Sequence, residues 1–127
     1  MIKVVCGVII DGKKVLLAQR SVQMEHPLKW EFPGGKMEND ETPGEALKRE
    51  LLEELNMNIH VNLVLKPVFW TYPEKEVKLI PLLCKWTGGA ILTREHQQLK
   101  WCNWNELQNM DVLEADIAIV NEIERFL

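Results

Sequence analysis

The segment from Gly34 to Met57, GGKMENDETPGEALKRELLEELNM, constrains the fold more than any other part of the chain. It predicts one helix, because Thr42 and Glu45 form a T-x-x-E capping box. Pro43 occupies the first helical position, where its missing N–H does no harm. The helix is predicted to end at Asn56, since asparagine accepts the left-handed conformation that follows many helices. A helix with both ends defined therefore lies before the middle of the chain.

Three glutamates share one face of this predicted helix. Its apolar side is a stripe of three leucines, Leu47, Leu51 and Leu55. On a neighbouring face, three carboxylates fall within an arc of about 100°: Glu50, Glu53 and Glu54. Like charges at these spacings cost ~0.2–0.5 kcal/mol per pair, and only Arg49 lies close enough along the chain to offset part of that cost. The face is either a solvated acidic surface or one side of a cation site.

Composition limits the class of protein. With 127 residues, of which 46% are hydrophobic and 27% charged, the chain is expected to form one globular domain over residues 1–127 with a real core. The net charge of −4 argues against sequence-independent binding of duplex nucleic acid, which requires a basic surface. A ligand that carries phosphates would need a metal ion or local arginine and lysine side chains.

The cysteines and the N-terminal apolar run predict the compartment. Cys6, Cys84 and Cys102 are odd in number and lack C-x-x-C spacing, so buried reduced thiols are expected. The apolar run Val4 to Ile10 is too short for a signal peptide or a membrane span. We therefore expect a cytoplasmic protein without a membrane partner.

The order of the remaining elements predicts the fold class. Asp11-Gly12 is a hairpin signal after the first strand, Ser21 to Lys29 reads as a loop, and Pro81 marks a sheet edge or a bulge. Strands are predicted at residues 2–10, 15–18, 59–70, 77–86 and 98–102. Helical segments are predicted at 105–110 and 116–126, the latter with Asp116 as its N-cap. The chain should form an α+β domain, an α/β/α sandwich with a mixed sheet between two main helices.

The central segment resembles the Nudix box of pyrophosphohydrolases acting on nucleoside-diphosphate-linked compounds. The match consists of Gly35, five residues, Glu41, seven residues and then RELLEELNM from Arg49 to Met57. It departs from the family pattern only at Asn56, where the pattern has glycine. The approach WEFPGGK, from Trp30 to Lys36, resembles the small MutT-like branch, which extends the similarity over the whole chain.

The resemblance implies roles for the charged residues. Glu50, Glu53 and Glu54, with the backbone carbonyl of Gly35 or of Gly34, match the family's ligands for Mg²⁺, or alternatively Mn²⁺. Arg49 matches a residue that orients the adjacent glutamate, and Glu41 matches one that holds the loop against the helix. The catalytic base is expected to be Glu53 or Glu50, or else Glu95, which matches a loop acid of MutT-like enzymes and is otherwise an ordinary surface residue.

Candidate substrate contacts are spread along the chain. The segments Arg94 to Cys102 and Leu113 to Ile117 look closest to CTP pyrophosphohydrolases. An ionised Asp116 would accept a hydrogen bond from the N4 amino group of cytosine and repel a guanine O6, although Asp116 could simply cap the last helix. Arg20 and Lys36 could contact phosphates, and four aromatic residues could either stack on a base or fill the core: Trp30, Phe32, Trp70 and Tyr72. The histidines, at positions 26, 60 and 96, suggest no metal site and are expected to be structural or exposed.

The expected function is a Mg²⁺-dependent nucleoside triphosphate pyrophosphohydrolase. It would convert a small-molecule nucleotide, preferably CTP, dCTP or a 5-substituted cytidine nucleotide, to the monophosphate and pyrophosphate, as a monomer or homodimer. One alternative is an 8-oxo-dGTP diphosphatase of MutT type. Another, from a different class, is a catalytically idle Nudix module that only binds nucleotide.

Overall fold

A mixed β-sheet with helices on both faces forms the fold. The computed structural model describes residues 1–127. Its eight strands are β1 Ile2–Asp11, β2 Lys14–Gln19, β3 Trp30–Glu31, β4 Gly34–Lys36, β5 Asn58–Val64, β6 Val68–Tyr72, β7 Lys75–Gly88 and β8 Gln98–Cys102. The helices are α1 Pro43–Leu55, α2 Trp104–Gln108 and α3 Glu114–Val120, followed by a 3-10 turn at Glu124–Phe126. None of the helices has the length and apolar character needed to cross a bilayer.

The two long strands β1 and β7 run side by side in parallel at the centre of the sheet. Their pairing extends from Ile2 opposite Val77 to Ile9 opposite Cys84. Strands β2 and β4 pair antiparallel with β1, and β5 and β6 pair antiparallel with successive halves of β7. Strand β8 pairs with β2. The sheet therefore contains both parallel and antiparallel pairs, which confirms the predicted mixed sheet.

Each face of the sheet has its own apolar core because side chains alternate along β1. Val5 and Ile9 point to one face, where they join the leucine stripe of α1. Cys6 and Val8 point to the other face, where they join residues of α3 and the segment after it, including Ile119 and Ile123. Full burial of one such aliphatic side chain stabilises the fold by about 1.5–3 kcal/mol. The predicted α/β/α layering is confirmed.

Helix α1 has the ends that were predicted from the sequence. The hydroxyl of Thr42 accepts a hydrogen bond from the backbone N–H of Glu45 at 3.2 Å, and the Glu45 carboxylate accepts one from the N–H of Thr42 at 2.9 Å. Asn56 follows the helix with a φ of 55° and a ψ of 33°, in the left-handed region. Both boundaries of the helix thus arise from local side-chain chemistry.

The last helix differs from its prediction. A single helix from residue 116 to 126 was wrong, because α3 begins at Glu114, ends at Val120 and is followed by the separate 3-10 turn. Asp116 is not the N-cap; that position is Leu113, which makes no side-chain capping bond. The Asp116 carboxyl group instead accepts a hydrogen bond from the backbone N–H of Phe32 at 2.8 Å. Asp116 therefore binds the backbone of a distant residue instead of capping its own helix.

The strand predicted at 59–70 is two strands, and Pro81 lies opposite the break between them. Val64 pairs with Leu82 and Val68 pairs with Leu79, so Pro81 belongs to a central strand and the predicted edge position was wrong. Pro81 has no N–H to donate, but its carbonyl accepts from the N–H of Leu65 at 2.8 Å. A proline is tolerated here because the neighbouring strand is interrupted at the same level.

Short strands and the first turn complete the comparison with the predictions. β3 and β4 were not predicted as strands, since each has too few residues to show a periodicity. The first hairpin is confirmed, with its turn at Gly12 and Lys13 and a φ of 62° at Gly12. The three cysteines are buried free thiols, as expected, and burial raises the pKa of each.

Candidate active site

A cleft of about 330 Å³ collects residues from distant parts of the chain. At one end it is bordered by the β4 glycines, by Glu54 of α1 and by Glu95 of the loop before β8. At the other end lie Phe32 and Asp116. Residues singled out in the sequence at both ends of the chain therefore share one cavity.

Arg49 fixes the acidic face of α1 through a fork of hydrogen bonds. Its guanidinium donates to both oxygens of Glu41, at 2.7 and 2.9 Å, and to Glu50 Oε1 at 3.0 Å. It also donates to the carbonyl of Lys36 at 3.1 Å, which ties β4 to the helix. Hydrogen bonds from Arg49 lower the pKa of Glu41 to about 2, so this partner stays ionised. The planar guanidinium suits this arrangement because it presents several donors in fixed directions.

The glycine pair allows β4 to approach the helix and β1 closely. A Cβ atom at Gly35 would overlap the carboxylate of Glu50, and one at Gly34 would overlap the carbonyl oxygen of Val5. Glu50 is consequently held with only 13% of its side chain exposed. Both glycines are required by space, and their backbone lies directly beside the carboxylates of α1.

Glu54 has a free carboxylate oxygen, as expected of a residue that binds a cation. Its Oε2 atom is buried without a hydrogen-bond partner. Burial, followed by the nearby charge of Glu50, raises the pKa of Glu54 to about 7. An unpaired buried carboxylate oxygen is costly unless a ligand satisfies it, and hard divalent cations prefer such oxygens. The donor set on α1 therefore fits a divalent cation.

The three glutamates of α1 are not equivalent in position. Glu54 lines the cleft, and Glu50 lies behind Gly35. Glu53 is 61% exposed, outside the cleft lining, and receives a hydrogen bond of 3.4 Å from Arg49. Of the acidic face, one carboxylate therefore lies in the cleft and the other two lie outside its lining.

Another group of possible metal ligands lies at the cleft rim, away from α1. Ligand atoms of Glu25, His26 and Glu74 lie within 4.8 Å of one another. Lys75 Nζ lies 3.5 Å from Glu25 Oε2, so one carboxylate of this cluster already has a cationic partner. It is separate from the carboxylates that the sequence singled out.

The far end of the cleft contains a buried carboxyl group with an altered pKa. Asp116 is 4% exposed, and burial, reinforced by the negative charge of Glu31, raises its pKa to about 8. The hydrogen bond from Phe32 opposes this shift without cancelling it. Asp116 is therefore mainly protonated at neutral pH. The expectation of an ionised Asp116 was wrong because it ignored desolvation.

Two residues of the cleft were missed in the sequence, Glu31 and His96. Glu31 accepts from Arg20 at 2.9 Å, and its other carboxylate oxygen lies 2.8 Å from His96 Nε2. The His96 side chain is 4% exposed, so of the two predicted alternatives for the histidines, structural or exposed, the exposed one is excluded for His96. Glu31 could have been suspected because it directly precedes Phe32 in the approach to the glycines. Nothing local to His96 indicated its partner, which is 65 residues away.

The remaining candidates divide between the cleft and the rest of the molecule. Phe32 and Tyr72 are buried and line the cleft, whereas Trp30 and Trp70 do not line it. The Tyr72 hydroxyl accepts from the N–H of Ala115 at 3.4 Å. Lys36 and Arg20 also line the cleft. The Arg20 guanidinium is engaged with Glu31 and with the carbonyl of Glu25, at 2.6 Å.

The loop that carries Glu95 is attached to the C-terminal end of α1. The N–H of Leu92 donates to the carbonyl of Leu55 at 2.9 Å, and the Arg94 guanidinium donates to the carbonyl of Glu53. These carbonyls have no partners within the helix, so the loop satisfies groups that would otherwise be free. Glu95 itself is exposed and lines the cleft. The loop acid and the helix acids are thus brought to the same end of the cleft.

Comparison of the sequence with protein-family models shows to which family the chain belongs. The NUDIX domain model matches residues 2–122. The chain belongs to the Nudix family. It is a Nudix hydrolase, and its Nudix box is the segment that contributes Gly35 and Glu54 to the cleft and contains Arg49 with its partners Glu41 and Glu50. Nudix hydrolases generally use a divalent metal ion, in agreement with the free carboxylate oxygen of Glu54.

Individual Nudix proteins resemble the chain over nearly its full length. The CTP pyrophosphohydrolase of Escherichia coli K12 is 37% identical over 125 residues, which cover 94% of this chain and 89% of that protein. A putative 8-oxo-dGTP diphosphatase 2 of Mycobacterium tuberculosis is 34% identical, covering 98% of this chain and 89% of its own length.

Solved structures confirm the MutT-like Nudix fold. The solution structure of the E. coli ORF135 protein has a TM-score of 0.86 and 34% identity, covering 99% of this chain and 90% of that one. The solution structure of MutT from a methicillin-resistant Staphylococcus aureus has a TM-score of 0.79 and 36% identity, covering 99% and 97%. The α/β/α arrangement around the cleft is therefore shared with known Nudix proteins.

Proposed function

We propose that this Nudix hydrolase is a single domain, residues 1–127, that converts a nucleoside triphosphate and water to the monophosphate and pyrophosphate, with Mg²⁺. One observation carries the proposal. The acidic face of α1, held by the Arg49 fork, borders the same cleft that buries Phe32 and Asp116 at its far end. A nucleotide has the matching polarity, with charged phosphates at one end and a flat base at the other.

The carboxylates of α1 would hold the metal ion at the phosphate end. Glu50, Glu53 and Glu54 would supply oxygen ligands, with the carbonyl of Gly35 as a further one, since the backbone of Gly35 lies against the Glu50 carboxylate. When bound, a divalent cation supplies charge stabilisation for the attacking and leaving oxygens. Arg49 and Glu41 hold Glu50 in place, and Lys36 at the cleft border attracts the phosphates.

The bond changes require one proton acceptor among the carboxylates. A water oxygen forms a bond to phosphorus, the bridging P–O bond breaks, and pyrophosphate leaves with the bonding electrons. The proton of the water passes to a carboxylate, for which Glu53, Glu50 and Glu95 are the candidates. Glu95 lines the cleft and is attached to α1 through the Arg94 contact, so it can reach the same phosphate end.

The base end would select cytidine nucleotides: CTP, dCTP or their 5-substituted forms. The support is the similarity to the E. coli CTP pyrophosphohydrolase and the presence in the cleft of Glu31, whose carboxylate can accept from the cytosine amino group. Phe32 and Tyr72 would pack against the ring. The protonated state of Asp116 also allows it to donate to a carbonyl oxygen, and several relatives are named 8-oxo-dGTP diphosphatases. Sanitising of 8-oxo-dGTP is therefore the second candidate.

A panel of nucleotides tests both candidates, with pyrophosphate release as the measurement. We expect CTP, dCTP and 5-methyl-dCTP to give a higher kcat/KM than 8-oxo-dGTP, dGTP and ATP. Selective turnover of 8-oxo-dGTP would overturn the cytidine preference and leave the reaction type intact. Chelation of the metal with EDTA should abolish turnover, and added Mg²⁺ should restore it.

A pair of variants tests the catalytic assignment against an idle binding module. Glu53→Gln removes a proposed ligand and base without changing the size of the side chain, and should lower kcat by at least about 100-fold. Glu76→Gln is the matched control, since Glu76 is an exposed glutamate of β7 that does not line the cleft. If the wild-type protein with Mg²⁺ hydrolyses no nucleotide, and Glu53→Gln changes nothing, the module only binds.

A further inference from the structure

His96 occupies a position in the cleft that none of the roles above uses. Its side chain is 4% exposed and it lines the cleft. The loop on either side of it is fixed, because Gln97 donates its N–H to the carbonyl of Gln19 at 2.8 Å and Arg94 is bound to α1. The imidazole ring is therefore held in one place by the fold.

The protonation of the His96 ring follows from its partner. The Glu31 carboxylate accepts from Arg20 through Oε1 and lies 2.8 Å from His96 Nε2 through Oε2. A carboxylate only accepts, so Nε2 carries the proton and donates. In the neutral ring Nδ1 is then an acceptor. This atom is buried and has no partner.

Unpaired buried atoms are rare in this molecule, and they lie together. Only two buried side-chain N or O atoms lack a hydrogen-bond partner: Glu54 Oε2 and His96 Nδ1. Both residues line the same cleft. Folded proteins satisfy nearly all their buried polar groups, so two exceptions in one cavity indicate a ligand that satisfies them. The first was assigned above to the cation, which leaves Nδ1 without a partner.

The location of His96 indicates which part of the ligand lies next to it. On one side it contacts Glu31, which belongs to the base end of the cleft. On the other side it directly follows Glu95 in the chain, and both Glu95 and Glu54 line the same cleft. His96 thus stands between the base end and the phosphate end. In a nucleotide the sugar occupies that interval.

We infer that His96 is a sugar-binding residue, whose Nδ1 forms a hydrogen bond with a ribose hydroxyl of the bound nucleotide, a group that can both donate and accept. The inference rests on the proposed nucleotide substrate. It assigns to His96 a part in choosing between sugars, whereas the base is chosen at Asp116. Glu31 and Arg20 act through the ring, because Arg20 holds the Glu31 carboxylate and Glu31 holds His96 Nε2.

Sugar analogues test the contact directly. Wild-type protein is assayed with CTP, 2′-deoxy-CTP and 3′-deoxy-CTP, and removal of the contacted hydroxyl should lower kcat/KM by about three- to tenfold. His96→Gln keeps an amide N–H near the position of Nε2 for Glu31 and lacks Nδ1. In this variant the three nucleotides should agree within about twofold. His60→Gln is the matched control, because His60 is exposed on β5 and distant from the cleft lining.

The outcomes separate this inference from the proposed function. If His96→Gln keeps the wild-type discrimination, or loses activity equally on all three nucleotides, the sugar contact is refuted while hydrolysis stands. Calorimetric titration of the same three nucleotides provides a readout without turnover. Discrimination in binding without hydrolysis would refute the pyrophosphohydrolase and keep the sugar contact. Absence of binding by all three would refute both.

Discussion

The side-chain amide of Asn56 donates a hydrogen bond to the carbonyl oxygen of Ala90 at 3.1 Å. Asn56 also ends α1 in the left-handed conformation, at the position where the Nudix pattern has glycine. A glycine could adopt the same backbone but has no side chain to reach Ala90. The departure from the family pattern therefore adds a contact between the Nudix helix and the loop that carries Glu95 and His96.

Replacing Asn56 by glycine should affect activity more than stability. Glycine is better suited to the left-handed conformation, and this gain offsets the lost hydrogen bond of about 1 kcal/mol. The thermal midpoint should stay within about 3 °C of wild type. The loop before β8 loses one attachment, so kcat/KM should fall several-fold. Thermal unfolding and pyrophosphate release measure the two effects.

Two further variants control this comparison. In Asn56→Ala the alanine has to adopt the left-handed conformation, which is strained for this residue. This variant should lose about 1–2 kcal/mol of stability beyond the loss of the hydrogen bond to Ala90. Asn109, the residue that follows α2, donates a similar side-chain hydrogen bond to the carbonyl of Asn105. Asn109→Gly removes this hydrogen bond and should leave kcat/KM unchanged. Equal activity of Asn56→Gly and wild type would show that the Ala90 contact does not position the loop.

Arg49→Lys should weaken metal binding although the charge is kept. The three N–H donors of lysine share one nitrogen, so they cannot reach both oxygens of Glu41, Glu50 and the Lys36 carbonyl as the broad guanidinium does. Loss of such a supporting residue typically costs 10–100-fold in metal affinity, so the Mg²⁺ concentration for half-maximal activity should rise by about that factor. Titration of activity with Mg²⁺ measures it, with exposed Lys48→Ala as the control. An unchanged Mg²⁺ requirement would exclude an orienting role for Arg49.

Asp116 should make the protein less stable as the pH rises. Its pKa is about 8 when folded and about 3.9 when unfolded, so between these values the folded state binds more protons than the unfolded state. The stabilisation is complete below the unfolded pKa and is lost as the pH rises through about 8. Asp116→Asn removes the titrating group and can still accept from Phe32. Between about pH 6 and 9 its thermal midpoint should fall less than that of wild type; parallel curves would contradict the raised pKa.

Thr42→Ala should lower stability without lowering activity at ordinary temperature. The change removes the hydroxyl that caps the N–H of Glu45. Loss of an N-cap of this kind costs about 0.5–2 kcal/mol, and at this chain length the thermal midpoint should fall by a few degrees. Thr42 is exposed and does not line the cleft. A large loss of kcat at 25 °C, measured on protein that is still folded, would show that the cap also shapes the active site.

Local sequence signals predicted those features of the fold that depend on neighbouring residues. The ends of α1 were predicted correctly because both caps are local. Thr42 and Glu45 cap each other at the start, and at the end Asn56 adopts the left-handed conformation and its backbone N–H binds the carbonyls of Leu51 and Leu52. The break between β5 and β6 was not predicted, because a continuous run of strand-forming residues does not show where the partner strand changes. The last helix was misplaced for a related reason, since Asp116 fits the composition of an N-cap and is used by Phe32 instead.

The sequence by itself determined the Nudix helix, its acidic face and hence the class of reaction, because helical periodicity and the spacing of the box are properties of consecutive residues. Only the tertiary structure decided which residues meet in the cleft, which of their polar atoms lack partners and which carboxyl group is buried. It brought Glu31 to His96, left His96 Nδ1 and Glu54 Oε2 without partners, and buried Asp116 deeply enough to hold its proton. Burial and pairing between distant residues arise when the layers pack, and desolvation at that stage sets the protonation of buried groups such as Asp116.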